Sequence, residues 1–124
     1  MTNYLQIHHT SVLVSDTRRA LAFYRDVLEM PLVQRPDLGY PGAWLEVGSQ
    51  QIHLIELAPT RLESDTTLHG GRDHHVALSV YDLDVLVGRL DSHRVAYARS
   101  RSGRRALFCR DPDGNALEFV ELAG

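Results

Sequence analysis

The segment His8–Asp16 has the sequence HHTSVLVSD, and it recurs 66 residues later as HHVALSVYD at His74–Asp82. Both copies contain two histidines, an apolar-rich run and an aspartate seven residues after the second histidine. A second stretch, Gln51–Leu57 (QIHLIEL), matches Ala116–Leu122 (ALEFVEL) at an offset of 65 residues. Internal repeats of this kind decide the architecture of a chain, because each copy folds as the same unit. The sequence therefore predicts two homologous modules.

Each module has the same predicted order of elements, a strand, a helix and three further strands. Alternating apolar residues predict the strands, and Asp16 and Asp82 follow the two first strands as helix N-caps. Met30-Pro31 ends the first helix, because proline disfavours helix in the residue before it. The fold class is α+β, with a βαβββ order in each module. The predicted strands are about 5–14, 32–36, 43–48 and 51–57 in the first module and about 74–80, 94–99, 105–110 and 116–122 in the second.

The length of 124 residues predicts a single domain, with a first module at about 3–58, a linker at 59–71 and a second module at about 72–123. Neither module is large enough to bury much core alone. Hydrophobic residues make up 44% of the chain and charged residues 23%, which is typical of a soluble globular protein.

The charged residues exclude several function classes. All 13 basic residues are arginine, and with 16 acidic residues the formal charge is −3. Without lysine, Schiff-base chemistry on a lysine and a lysine-type P-loop are excluded, and the charge gives no support to nucleic-acid binding. The single cysteine, Cys109, excludes an internal disulfide. No signal peptide and no apolar run of membrane length is visible, so we expect a cytoplasmic protein without a membrane partner.

Period-two alternation gives each predicted sheet an apolar face for its helix and a second face with small and polar residues. His9 and His75 lie on this second face, at equivalent positions of the two first strands. His53 and Glu118 occupy equivalent positions of the two last strands. Three imidazoles and one carboxylate suit a divalent ion such as Zn, Ni, Co, Mn or Fe. The repeat therefore predicts a metal site with one pair of ligands from each module.

Other residues are alternatives for these positions. His8 and His74, each one residue before a preferred histidine, are disfavoured by strand alternation. Glu56 is the alternative to His53 as the fourth ligand. Because Glu56 is equivalent to Glu121 in the repeat, we expect both glutamates to face away from the ligands.

Four further residues are candidate substrate contacts. Tyr40 and Trp44 lie in and after the loop at 39–42 and can form the wall of an apolar cavity, although Trp44 is equally compatible with core packing. Arg105 and Arg110 belong to a cluster of six arginines between positions 94 and 110. A guanidinium can bind a substrate carboxylate through two hydrogen bonds. Arg110 can instead pair with an acidic residue of the turn that follows it.

Several segments together resemble the glyoxalase, bleomycin-resistance and extradiol dioxygenase superfamily, also called vicinal oxygen chelate proteins. The resemblance implies curled mixed sheets that enclose a metal-containing cavity, with one divalent ion per site, often completed across a homodimer. His9, His75 and Glu118 fall on positions that resemble the ligands of the family. The segments that carry the resemblance are His9–Asp16, Arg19–Leu28, Ile52–Leu54, His75–Val80 and Phe108–Phe119.

The resemblance implies a metal-dependent, glyoxalase-like lyase or isomerase. In that chemistry the cation chelates vicinal oxygens of a small metabolite and stabilises an enediolate-type anion, and Glu118 is the candidate base. His53 stands where glyoxalase I has a glutamate that takes part in proton transfer, and an imidazole held on a metal is a poorer base. We therefore do not expect glyoxalase I activity itself.

Other chemistries of the superfamily remain alternatives. One is an Fe(II) extradiol-type dioxygenase, in which two histidines and a carboxylate hold iron. Another is a metal-free drug- or metabolite-binding protein of the bleomycin-resistance type, which generally lacks such a ligand set. A fosfomycin-type thiol transferase is disfavoured, because the lysine expected there is absent.

Overall fold

The computed structural model describes residues 2–57 and 68–122, so only 68–71 of the predicted linker at 59–71 is described. The chain divides into two compact units, Met1–Thr60 (unit 1) and Arg61–Gly124 (unit 2). Each unit contains a four-stranded mixed sheet with a helical segment after its first strand. The predicted α+β fold with a βαβββ order in each half is confirmed.

The strands and helices follow the predicted order in both units. The predicted first strand begins later, at His9, and the two predicted strands at 32–36 and 94–99 are shorter. Unit 1 consists of β1 (His9–Val14), α1 (Thr17–Leu21) with a π-helical continuation (Ala22–Val27), β2 (Leu32–Val33), β3 (Gly42–Val47) and β4 (Gln50–Glu56). Unit 2 consists of β5 (His75–Val80), α2 (Leu83–Ser92), β6 (Tyr97–Arg99), β7 (Ala106–Arg110) and β8 (Ala116–Glu121).

The two sheets have equivalent strand orders, β1-β4-β3-β2 and β5-β8-β7-β6. In each sheet the first and last strands are parallel neighbours, and the other pairs are antiparallel. Ser11 is paired with His53, and Ala77 is paired with Glu118. The register thus places the candidate ligand of each last strand beside the first strand, two residues from its candidate histidine.

One face of each sheet packs against the helix of its unit, as the alternation predicts. The core residues of both units are apolar and almost completely buried, because this burial is the main driving force for folding. In unit 1 they include Val12, Val14, Ala20, Phe23, Tyr24, Leu45 and Leu54, and in unit 2 they include Leu78, Leu83, Leu90, Leu107, Leu117 and Phe119. The opposite face of each sheet carries the candidate ligands together with one aromatic side chain, Trp44 or Phe108.

Each helix begins with two acidic contacts. The predicted N-caps are confirmed: Asp16 accepts a hydrogen bond from the backbone N–H of Arg19, and the Asp82 carboxylate accepts two from the first turn of α2. A glutamate from the last strand adds a second acceptor. Glu56 Oε1 accepts from the Thr17 N–H at 2.7 Å, and Glu121 Oε2 accepts from the Leu83 N–H at 2.9 Å.

Both helical segments end with a residue in the left-handed region, Glu29 with φ 64° and Arg94 with φ 58°. After α2 the Val95 N–H donates to the Leu90 carbonyl and the Arg94 N–H donates to the Asp91 carbonyl, which is a Schellman motif. The corresponding bond in unit 1 runs from the Met30 N–H to the Tyr24 carbonyl and spans one residue more.

The π-helical continuation explains why the repeat offset changes along the chain. The N-caps Asp16 and Asp82 are 66 residues apart, whereas the helix-ending residues Glu29 and Arg94 are 65 apart. Unit 1 therefore has one extra residue between these points. A π turn contains one residue more than an α turn, since its hydrogen bonds join residues five apart. The bond from the Leu28 N–H to the Phe23 carbonyl is of this kind.

The helices of the described residues are short. None of them, in residues 2–57 or 68–122, is long and apolar enough to cross a membrane.

Candidate functional site

In unit 1 the side chains of the two candidate ligands stack on each other. The rings of His9 and His53 have centroids 4.0 Å apart and planes 14° apart. On its other side the His53 ring stacks on Trp44, at 4.2 Å and 7°. Trp44 is the direct antiparallel partner of His53 on β3, so its indole lies on the same face of the sheet. His53 is therefore the middle ring of a three-ring stack.

Hydrogen bonds extend this stack at both ends. His53 Nε2–H donates to Gln51 Oε1 at 2.8 Å, and His8 Nδ1 shares a hydrogen bond of 2.9 Å with His9 Nδ1. Burial lowers the pKa of His53, and the positive charge that His9, His8 and Arg35 can carry lowers it further. The surroundings of His53 thus favour the neutral imidazole, which is the form that binds a metal.

Unit 2 pairs its two candidate ligands directly. His75 Nε2 lies 3.2 Å from Glu118 Oε1, and the Arg104 guanidinium donates from Nη2 to Glu118 Oε2 at 2.7 Å. The Glu118 side chain is only 6% exposed, whereas those of His75 and Arg104 are 26% and 58% exposed. Phe108 stands opposite Glu118 on β7, equivalent to Trp44 in unit 1, and meets His75 edge to face at 5.6 Å.

A carbonyl fixes the proton of His75. The ring donates from Nδ1 to the Asp73 carbonyl at 2.9 Å, so a neutral imidazole has its lone pair at Nε2. That lone pair faces a carboxylate oxygen. Such an arrangement is favourable only when a cation, either a second ring proton or a metal ion, lies between the two atoms.

A buried ion pair holds the segment that carries this carbonyl. Arg110 Nη1 donates to Asp73 Oδ2 at 2.6 Å and to the Gly114 carbonyl at 2.9 Å. The Arg110 and Asp73 side chains are 10% and 6% exposed. Breaking such a pair would leave a buried charge uncompensated. Arg110 therefore links the start of β5 to the turn after β7.

The candidate ligands of the two units fit the geometry of a metal site to different degrees. Two ligand atoms bound at about 2.0–2.2 Å to one ion lie about 3 Å apart, which fits the separation of 3.2 Å between His75 and Glu118. In unit 1 the two rings lie in nearly parallel planes, and because an imidazole binds a metal ion in its own plane, one ring must tilt before both bind one ion. Among the described residues, no three or more His, Cys, Asp or Glu side chains lie close enough together to bind one metal ion. Each unit supplies a pair.

The other predicted residues have different positions. Trp44 lies on the ligand face, as described above. Tyr40 is 44% exposed and its ring faces the Arg35 guanidinium at 5.0 Å. The Arg105 guanidinium binds Glu121 at 2.9 Å and Asp84 at 3.2 Å on the helix side of the sheet, apart from Glu118.

Glu56 and Cys109 both lie on the helix side of their sheets. Glu56 caps α1 on the helix side, as expected from its equivalence to Glu121. Cys109 is buried beneath the same side of its sheet, and burial raises the pKa of its thiol to about 12. A thiol with such a pKa is unreactive at neutral pH.

The structure adds three polar residues that the sequence analysis did not select. Arg104 contacts Glu118, Gln51 contacts His53, and the Asp73 carbonyl accepts from His75. Alternation alone places Gln51 on the same face as His53 and Arg104 on the same face as Phe108. No local pattern indicates Asp73, because it acts through a backbone oxygen.

A family model described as the Glyoxalase/Bleomycin resistance protein/Dioxygenase superfamily matches residues 6–119. The chain belongs to this superfamily. The match covers both units and all four candidate ligands.

Relatives and solved structures agree with this assignment. A lactoylglutathione lyase of Haemophilus influenzae is 32% identical over 127 residues, which cover 94% of this chain and 93% of the relative. The crystal structure of a protein from Bacillus anthracis, described as of the glyoxalase family, has a TM-score of 0.80 at 25% identity and covers 99% of this chain and 100% of that one. TnmS3, an antibiotic binding protein from a Streptomyces species, has a TM-score of 0.76 at 22% identity over 99% and 100% of the two chains, and this likeness shows the fold alone.

Proposed function

We propose that the chain is a metal-dependent lyase or isomerase of the superfamily, acting on a small metabolite with two neighbouring oxygens. His9, His53, His75 and Glu118 are its proposed metal ligands. Three neutral imidazoles and one carboxylate form a donor set that suits a divalent first-row metal. The likeness to a lactoylglutathione lyase over nearly the whole chain supports this class of reaction.

The pair of His75 and Glu118 carries the proposal. His75 Nε2 and a Glu118 oxygen lie 3.2 Å apart, which fits the separation of two ligand atoms on one ion. The Asp73 carbonyl holds the imidazole in the tautomer that leaves Nε2 able to bind that ion. Burial of Glu118 strengthens the attraction, because the charge is poorly screened by water.

When bound, the divalent cation would polarise the two neighbouring oxygens of the substrate. The other roles belong to side chains of this chain. Glu118 is the proposed base for a proton next to a carbonyl, and it must exchange its contact with His75 or Arg104 for the substrate before it accepts that proton. Trp44 and Phe108 form apolar walls beside the ligands, which helps to exclude water from the reacting atoms.

A metal-free metabolite-binding protein is the second candidate. Glu118 already has a cationic partner in Arg104, so its charge is neutralised without a metal. The fold of this chain is also found in an antibiotic binding protein. An Fe(II) dioxygenase is the third candidate, and the identity of the bound metal separates it from a lyase or isomerase.

Metal content of the untagged protein, measured by inductively coupled plasma mass spectrometry, tests the proposal. We expect nearly one divalent ion per chain in the wild type, strong loss in His75→Ala and retention in His74→Ala, which removes the adjacent histidine. Zinc, nickel, cobalt or manganese would support the lyase or isomerase, and iron would support the dioxygenase. No metal after reconstitution would contradict the enzyme and favour the binding protein.

We also propose that the protein is a homodimer in the cytoplasm. Three large apolar side chains lie just before β1 and are exposed on the single chain, Tyr4 at 88%, Leu5 at 97% and Ile7 at 66%. Clusters of exposed apolar residues mark interfaces. Sedimentation velocity at micromolar concentration is expected to give a dimer, and a monomer with intact activity would contradict this.

A further inference from the structure

Arg104 is an exposed cation attached to a buried anion. It lies between β6 and β7, and its Nη2 donates to Glu118 Oε2 at 2.7 Å. The arginine side chain is 58% exposed, whereas the glutamate is 6% exposed. The guanidinium is thus held beside the candidate ligands but remains open to solvent.

The two oxygens of Glu118 have separate partners. Oε1 faces His75, and Oε2 accepts from Arg104. A cation bound between His75 and Oε1 therefore leaves the contact with Arg104 in place. A guanidinium has five N–H donors in one plane, and Glu118 is its single partner among the described residues. Most of its donors are available to a molecule that binds next to Glu118.

Two other arginines of the same cluster are already engaged. Arg105 binds Glu121 and Asp84 on the helix side of the sheet. Arg110 is buried against Asp73 and the turn after β7. Arg104 is the arginine of these three that combines exposure with contact to a candidate ligand.

We propose that Arg104 recognises a carboxylate of the substrate, so that the substrate is a small metabolite with a carboxylate beside its two chelating oxygens. This deepens the proposed metal-dependent function and rests on it. A carboxylate matches the planar donors of a guanidinium through two parallel hydrogen bonds. The contact with Glu118 holds the arginine in place, which reduces the entropy lost when the substrate binds.

Two small hydroxy acids test this proposal. Glycolate offers a hydroxyl and a carboxylate for chelation, and tartronate has the same pair with one more carboxylate on the same carbon. We would measure both dissociation constants by isothermal titration calorimetry on metal-loaded protein. For the wild type we expect tartronate to bind at least about tenfold more tightly than glycolate.

The variants identify the residue responsible for this preference. Arg104→Gln is expected to reduce the ratio at least about fivefold, and Arg104→Lys should keep part of it, because the charge remains without the planar pair of donors. Arg105→Gln, the matched control at the neighbouring position, should keep the ratio. Attraction between the extra carboxylate and the metal contributes in every variant, so the change in the ratio isolates Arg104.

The outcomes separate this inference from the proposed function. An equal ratio in the wild type and Arg104→Gln, with metal bound to both, overturns the role of Arg104 and leaves the metal site intact. Failure of the wild type to bind metal overturns the proposed function and the role of Arg104 with it. If Arg104→Gln does not fold, Arg104→Lys decides, and an unchanged ratio there contradicts recognition through two hydrogen bonds.

Discussion

His53 of unit 1 and Glu118 of unit 2 stand at the same position of the same fold, yet their surroundings differ. His53 lies between two rings and donates a hydrogen bond to an uncharged amide. Glu118 lies between an imidazole and a guanidinium. Trp44 and Phe108 are equivalent neighbours of the two residues. The duplicated fold thus determines where a candidate ligand lies, whereas its residue type and its neighbours determine its charge.

The candidate ligands of the two units therefore differ in the charge that they bring to a metal ion. Unit 1 favours a neutral imidazole, because burial lowers the pKa of His53. Unit 2 keeps a buried carboxylate with a cationic partner. Of the four proposed ligands, only Glu118 therefore supplies negative charge, and the same carboxylate is the proposed base.

The largest expected effect concerns the aromatic walls. Phe108→Ala should lower the free energy of unfolding by about 3–4 kcal/mol, because the ring is 4% exposed and leaves a cavity. Trp44→Ala should cost about 2 kcal/mol, since the indole is only half-buried and loses its stacking on His53. Urea denaturation followed by circular dichroism measures both. A larger loss of unfolding free energy for Trp44→Ala than for Phe108→Ala would contradict this order. It would show that the three-ring stack stabilises unit 1 more than the burial of Phe108 stabilises unit 2.

Substitution of the charged ligand of unit 2 should weaken metal binding more than substitution of a histidine ligand of unit 1. Glu118→Gln is expected to weaken binding by about 100-fold or more, because it removes the single charged ligand. His53→Gln should weaken it by about tenfold. Competition with a chromogenic chelator measures both affinities. The control is Glu121→Gln, because Glu121 lies on the other face of β8. Equal losses would contradict the division of charge between the units.

The two helix caps should respond differently to low pH. Hydrogen bonds from Arg105 and from the Leu83 N–H hold the pKa of Glu121 below its ordinary value of 4.5. The folded state binds fewer protons there than the unfolded state, so this stabilisation is present above about pH 4.5 and is lost as the pH falls through the lowered pKa. Glu121→Gln should therefore flatten the fall of the melting temperature below about pH 4.5.

Glu56→Gln is the control for this difference, because it changes the equivalent cap in unit 1. The described residues show no arginine paired with Glu56, and its contact is the Thr17 N–H. We expect Glu56→Gln to flatten the acid response less than Glu121→Gln does. The same flattening in both variants would show that the backbone cap, and not Arg105, is responsible.

The smallest effect concerns the helix ends. Glycine at the left-handed positions should stabilise the protein by about 0.5–1 kcal/mol, in Arg94→Gly and in Glu29→Gly alike, because a side chain is strained there. Arg94→Ala and Glu29→Ala, which keep a Cβ atom, should give no such gain. A gain in unit 2 alone would show that the π-helical segment of unit 1 imposes a further constraint on Glu29.

Part of the candidate site was predictable from the sequence. The repeat and strand alternation selected His9, His53, His75 and Glu118, and the structure pairs them within each unit. Alternation also distinguishes Arg104 from Arg105, but only the register of β7 with β8 shows which of the two lies on the same face as Glu118. The contact between Arg104 and Glu118 spans 14 residues and depends on the path of a loop.

The sequence by itself determined the duplication, the order of the elements and the two faces of each sheet, because these follow from local periodicity in side-chain chemistry. The change of the repeat offset from 66 to 65 was visible in it as well, but the π-helical turn that contains the extra residue was not. Only the tertiary structure decided the ring stack around His53, the tautomer of His75 and the cationic partner of Glu118. The ring stack and the contact between Arg104 and Glu118 join residues distant along the chain, and strand register and loop paths, which no local pattern encodes, bring them together. The contact between His75 and Asp73 is local, but it depends on the backbone path just before β5.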